Sequence, residues 1–208
     1  VWCEPGTAPY LQSLTMLRTK TADAFRASAE RWGAPSVNLV YADRKGEIAW
    51  MPAGYMPLRS NWTGLLPVPG TGAFEWKGQI DPASLPFVRN PPAGYFATAN
   101  EMNLPDTWPH DTFPVGFEWS EPSRANRITE VLSEQKVHTV ATSAALQTDV
   151  VSIPARRLCA LLAGVRSTPQ TEPALALLAN WDLRVSADSA AAALFEVWYS
   201  KHLRPALF

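Results

Sequence analysis

Asn100 is the residue whose type and position first suggest chemistry. It stands just beyond the run Tyr95-Phe96-Ala97-Thr98, which reads as a strand bounded by Pro91-Pro92 and Gly94, and it opens a proline-rich stretch with Pro105, Pro109, Pro114 and Pro122. An asparagine held at a strand end can aim its amide N–H at a carbonyl oxygen that gains negative charge during attack. Losing one such donor costs ~10²–10³ in kcat. The same position also suits ordinary turn chemistry, because asparagine tolerates left-handed backbone. From the residues alone the turn reading is the stronger of the two.

Other sources of chemistry are poorly represented. The chain has no G-x-S-x-G elbow, no H-E-x-x-H pair and no Walker loop. Pro69-Gly70-Thr71-Gly72 lacks the Lys-Ser/Thr of a phosphate cradle and reads as a turn. His110, His138 and His202 are widely spaced, with no Cys or Asp at metal-ligand spacing, so no metal site is assigned from them. Asn61-Trp62-Thr63 has the form of a glycosylation sequon, which matters only in a secreted eukaryotic protein. Exposed loop tryptophans would suit a sugar platform, whereas burial of Trp50, Trp62 and Trp76 under the loops would argue against one.

The elements that must position Asn100 follow from periodicity. Leu11, Leu14, Leu17, Phe25 and Trp32 form one apolar stripe, predicting an amphipathic helix from Pro9 to Trp32 that Gly33 and Pro35 end. Asn38–Tyr41 and Glu47–Met51 flank Asp43-Arg44-Lys45-Gly46 and predict a hairpin. Pro52 to Pro69 reads as a long loop, and Phe74-Glu75-Trp76 as a further strand. Beyond Ser120-Glu121-Pro122-Ser123 the chain turns helical, with helices predicted from about residue 123, over 154–164 and 173–181, and over 186–202. Thr171 and Ser186 are expected as caps. No βαβ rhythm appears, so the fold class is α+β with an antiparallel sheet.

Composition narrows the function classes. A formal net charge of -1, from 18 basic and 19 acidic residues, gives no electrostatic footprint for nucleic acid or an anionic membrane. No apolar run reaches the ~20 residues needed to span a bilayer. With 47% hydrophobic residues, 9 tryptophans and 19 prolines, the chain can bury a core beneath long, ordered loops. Val1-Trp2-Cys3 carries neither Met nor a signal-type run, and Leu207-Phe208 is apolar, so both ends read as cut from something larger. Cys3 and Cys159 fit a disulfide or two buried thiols equally well.

A set of ordered motifs adds a resemblance. Asn38-Leu39-Val40-Tyr41-Ala42-Asp43 with Gly46 comes first, followed by Leu66-Pro67-Val68-Pro69-Gly70-Thr71-Gly72 and Trp76-Lys77-Gly78. Asn90-Pro91 with Gly94-Tyr95, Ala99-Asn100, and Arg127-Ile128-Thr129-Glu130 complete the series. In this order and spacing the chain resembles the β-chain of the penicillin acylase (penicillin amidase) family of N-terminal nucleophile hydrolases, most closely from about Phe25 to Leu132.

The resemblance implies part of an αββα sandwich, with 1–208 a single β-chain fragment: strands and loops over 1–122 and a mainly helical 123–208. It implies hydrolysis of a non-peptide amide through an acyl-enzyme on an N-terminal serine whose own α-amino group is the base. By the same comparison Asn100 is the oxyanion-hole asparagine, Arg127 the active-site arginine and Val37 part of the acyl pocket. Arg124 competes with Arg127, and Val37 equally fits an ordinary core. No cofactor is implied, and Asp111 is the position where a structural calcium ligand of some members would fall. The implied partners are the rest of the β-chain, the α-chain and a small-molecule amide, without nucleic acid or membrane. The implied location is the bacterial periplasm or exterior. With the nucleophile elsewhere, the chain alone is expected to be inactive. The alternative is a non-catalytic binding or structural module on the same scaffold.

Overall fold

The computed structural model describes residues 9–134 and 137–207, which gather into two compact units divided between Ser120 and Glu121. Cys3 therefore lies outside the described residues.

The first unit is built on a three-stranded antiparallel sheet in the order β1 (Val37–Ala42), β2 (Ile48–Ala53), β3 (Val88–Arg89). The predicted hairpin is present, with Val37 opposite Ala53 and Ala42 opposite Ile48. Its turn follows from Asp43, whose carboxylate accepts the N–H groups of Lys45 (2.8 Å) and Glu47 (3.1 Å), and from Gly46 at φ 84°. β2 continues through Pro52 and Ala53, where a loop was expected. Over that stretch only β1 pairs with it, so proline sits on a strand with one free edge.

β2 is central and buried on both faces. Met51 and Ala53 pack with Ala29 and Trp32, while Trp50 packs with Ile80, Leu85, Leu104 and Trp108 from the long loops. The unit is thus layered helix, sheet, loop. The single helix expected over Pro9–Trp32 is instead a 3-10 turn (Pro9–Gln12), α1 (Ser13–Met16) and α2 (Ala22–Ala29). Thr19 donates its hydroxyl back to Met16 O (2.8 Å), and the Thr21 hydroxyl accepts the Ala24 N–H (3.2 Å), capping a fresh start. Trp32 is buried as the stripe predicts, but Leu11, Leu14 and Leu17 are 65%, 58% and 80% exposed.

The other two expected strands do not form. Carbonyls of the Ala73-Phe74 stretch are taken by side chains, Ala73 O by Asn61 Nδ2 (2.6 Å) and Phe74 O by the Trp62 indole (2.7 Å). Tyr95–Thr98 joins no ladder, and β3 with Asn90 takes the edge of β2 over Ile48–Trp50. Asn90, at φ 44°, donates its N–H to Ile48 O and accepts the Ile48 N–H on its side-chain oxygen, both at 2.9 Å. Of the three tryptophans on which a sugar platform turned, Trp50 is buried, Trp62 half-buried and Trp76 54% exposed.

The second unit is helical: α3 (Ser123–Glu134), α4 (Val140–Gln147), α5 (Ile153–Leu162), α6 (Glu172–Ala179) and α7 (Ala190–Trp198). A π turn (Tyr199–Leu203) and α8 (Arg204–Leu207) follow. Helix α4 was not anticipated, since its apolar residues form no stripe; a capping box between Thr139 and Thr142 starts it. One expected cap is corrected, and the other holds its position without a capping bond. Ser189, not Ser186, caps α7 by accepting the Ala192 N–H (3.1 Å), and the Thr171 hydroxyl bonds back to Thr168 rather than into α6. Phe195, 1% exposed, centres the core with Ala155 and Leu178, and the Tyr199 ring stacks on it at 5.8 Å.

Candidate active site

The first unit contains an open cavity of about 550 Å³ on the loop side of the sheet. Val37, Asn38 and Pro52 border it from the hairpin, Leu104 and Trp108 from the second long loop, and Asn100 from the mouth of that loop. Leu65, Phe117 and Trp119 also face it while remaining 59%, 44% and 38% exposed, so part of its rim is exposed apolar surface.

Asn100 has left-handed backbone, at φ 67°. That geometry costs asparagine little and most other residues more, which gives the turn-chemistry reading a real basis. The backbone around it is fixed from both sides. The Asn100 carbonyl accepts the Ser120 N–H (2.7 Å), and the Ala99 N–H donates to the Glu101 carboxylate (2.6 Å). A third restraint comes from Asn38 on β1, whose side-chain oxygen accepts both the Trp50 indole N–H (2.8 Å) and the Asn103 amide (3.0 Å). One side chain thereby joins the buried face of the sheet to the loop carrying Asn100. Asn38 opens the Asn-Leu-Val-Tyr motif, yet its positioning role was not anticipated, because it depends on two residues 12 and 65 positions away.

Val37 borders the same cavity and also packs among the residues around Trp32 and Met51, so both expectations for it describe its surroundings. The sheet and the loop thus bring Val37 and Asn100 to one cavity.

Arg127 belongs to the second unit, on α3. Its guanidinium forks onto Asp149, Nε to Oδ1 at 3.2 Å and Nη2 to Oδ2 at 2.9 Å, and its third nitrogen donates to Glu130 at 3.0 Å. Glu130 also takes Arg156 (2.9 Å), closing a four-residue network. Arg127 and Asp149 side chains are only 19% and 14% exposed, so the pair is poorly screened. Arg124 borders the same 410 Å³ hollow as Arg127, Asp149 and Ser152. Asp149 was not anticipated as a partner, and an isolated Thr-Asp-Val sequence carries no signal that it would be.

The hydrogen bonds from Arg127 hold the Asp149 carboxyl below the usual carboxylate range, and Arg156 above all does the same for Glu130. Hydrogen bonding to Asp149 in turn raises Arg127 above the ordinary arginine value. A carboxyl whose folded-state pKa is depressed contributes stability above its unfolded pKa, and that contribution disappears as pH falls through the folded value. Urea unfolding of the chain followed by fluorescence of Trp181 and Trp198 is therefore expected to show constant stability from neutral pH down to about pH 5, then a decline below about pH 4. Asp149→Asn should flatten part of that decline.

Among the described residues no group of three or more His, Cys, Asp or Glu is placed to hold a metal ion, and Asp111 stands exposed in its loop. No helix among them is long and apolar enough to cross a membrane. Cys159 is half-buried, and burial raises its thiol pKa.

The helix–sheet–loop arrangement is an α+β fold held in common with a thermostable penicillin G acylase from Alcaligenes faecalis: the superposition has a TM-score of 0.75, at 22% identity over 98% of this chain and 39% of the other. The penicillin amidase family profile matches residues 1–208. The chain belongs to the penicillin amidase family. It is 31% identical to the acyl-homoserine lactone acylase QuiP of Pseudomonas putida, over 91% of this chain and 25% of that protein. It is 33% identical to the penicillin acylase 2 proenzyme of Pseudomonas sp. (strain SE83), over 80% and 22%, and 35% identical to penicillin G acylase of Escherichia coli, over 72% and 18%. The chain spans about a quarter or less of the length of these relatives.

Proposed function

We propose that this chain is the part of an amidohydrolase that supplies an oxyanion-hole asparagine, Asn100, and an active-site arginine, Arg127. The substrate is a non-peptide amide, an acyl group joined to an amine. The observation carrying this reading is that Asn100 and Val37 border one cavity in a chain of this family. Attack on the amide carbonyl by an N-terminal serine, held by the remainder of the parent protein, places negative charge on the carbonyl oxygen. The Asn100 amide N–H stabilises that charge, and water later releases the acid from the acyl-enzyme. The part assigned to Arg127 rests on its place in the Arg127-Ile128-Thr129-Glu130 motif.

The missing partners in this reading are the rest of the β-chain and an α-chain. The exposed Leu11, Leu14, Leu17, Leu65 and Leu66 are apolar surface that such partners would cover. The relatives named above are bacterial, and a parent exported to the periplasm or beyond goes with the family reading.

The test compares the purified 208-residue chain with the full-length parent on phenylacetyl and long-chain acyl amides. The parent is expected to turn over, and the chain alone to show no hydrolysis above background, because oxyanion donors without a nucleophile leave only residual catalysis. Turnover by the chain alone would sink the division of labour, and an inert parent would sink the amidohydrolase reading.

A further inference from the structure

The loop after β2 carries a cation that the fold places beside the cavity without an anion. Arg59 borders the cavity with Asn100, Asn38 and Val37. Its guanidinium lies 5.3 Å from the centre of the Trp62 ring, and its Nη1 donates to the Pro114 carbonyl (2.8 Å). Its Nε is buried with no hydrogen-bond partner. Gly64, at φ 89°, lets the backbone approach closely, since a Cβ there would stand 2.8 Å from Nε. Among the described residues no carboxylate comes within ion-pair distance of Arg59; Glu118, the one acid on the cavity wall, lies in the exposed 116–120 run.

This arrangement contrasts with Arg89 and Arg127, which each face two carboxylates. Burial pushes the Arg59 guanidinium down from its usual value, yet arginine stays charged in proteins. A buried polar nitrogen left unpaired is destabilising, and an unbalanced charge at a cavity wall draws in an anion.

We propose that Arg59 is the anion-binding residue of this cavity, and that the amide substrate carries a carboxylate seated against it. The inference deepens the functional reading above and rests on the cavity being the substrate site. A carboxylate there gives a charge-assisted hydrogen bond to the guanidinium and removes an uncompensated charge. A neutral amide of the same shape gains neither, so the cavity selects on charge.

The test titrates the 208-residue chain with N-octanoylglycine and with the neutral N-octanoylglycinamide, reading the heat of binding. The carboxylate is expected to bind about tenfold tighter. Arg59→Gln should abolish that preference, so that the two ligands bind equally, and Arg59→Lys should restore part of it. Equal binding of the two ligands by the unaltered chain overturns the proposal and leaves the cavity reading intact. Binding of neither overturns both. Loss of both affinities in Arg59→Gln marks Arg59 as a loop support and also overturns it. Should that variant fail to fold, added salt decides with the unaltered chain: it is expected to weaken carboxylate binding alone, and an unchanged preference at about 0.5 M salt overturns the proposal.

Discussion

Asn100→Ala in the full-length parent is expected to lower kcat about 10²–10³-fold with little change in KM. The asymmetry follows from where the charge appears. The ground-state carbonyl is weakly polarised, so a missing amide N–H hardly alters substrate binding, whereas the tetrahedral oxyanion loses a donor in full. Backbone strain complicates the alanine, because Asn100 sits at φ 67° and alanine is less at ease there. Asn100→Gly keeps that conformation accessible and removes the same amide, so both variants should lose the same factor in kcat. Steady-state kinetics with thermal melts on each variant separates the effects. If kcat changed less than about fivefold in Asn100→Gly, the oxyanion role would be wrong, and the left-handed turn would be the whole reason for asparagine at this position.

Asp149→Ala is expected to destabilise the helical unit by about 2–3 kcal/mol. It removes two hydrogen bonds from Arg127 and leaves a guanidinium that is only 19% exposed facing Glu130 alone. It also frees the Val151 N–H, which now donates to Asp149 at 2.9 Å. Urea unfolding monitored at Trp181 and Trp198 measures the loss, and a change below about 0.5 kcal/mol would mean the pair is worth no more than a surface ion pair. The same variant tests Arg127 in the parent enzyme. If Arg127 acts in the site, Asp149 is its positioning residue, and Asp149→Asn should lower kcat while changing stability much less than alanine does. If Arg127 serves only to knit α3 to the segment before α5, the two readouts should fall together. A double-mutant cycle with Arg127→Lys isolates the coupling between them.

Much of the fold was legible because it is local. The hairpin is written in Asp43 and Gly46, whose side-chain acceptance and positive φ define the turn without help from elsewhere. The start of α3 is written in Ser120-Glu121-Pro122-Ser123, where the Glu121 carboxylate accepts the Ser123 N–H (3.1 Å). The apolar stripe over Pro9–Trp32 misled because periodicity carries no information about interruption. Thr21 capped a new helix, and Leu11, Leu14 and Leu17 stay exposed. Tyr95–Thr98 misled for a related reason, since β propensity describes a residue's fit to a sheet and does not say whether a partner strand lies beside it.

The sequence by itself determined the family, through motifs whose order and spacing survive without coordinates, and with it the choice of Asn100, Arg127 and Val37 as candidates. It also determined the α+β class, because turn chemistry and helix starts act over a few residues. Only the tertiary structure decided which side chains serve those candidates. Asn38 reaches Asn103 across 65 residues, Arg59 reaches Pro114 across 55, and Asp149 reaches Arg127 across 22. A hydrogen bond between distant residues depends on how the intervening chain closes, and that closure is set by packing around Trp50 and Phe195 rather than by any local pattern.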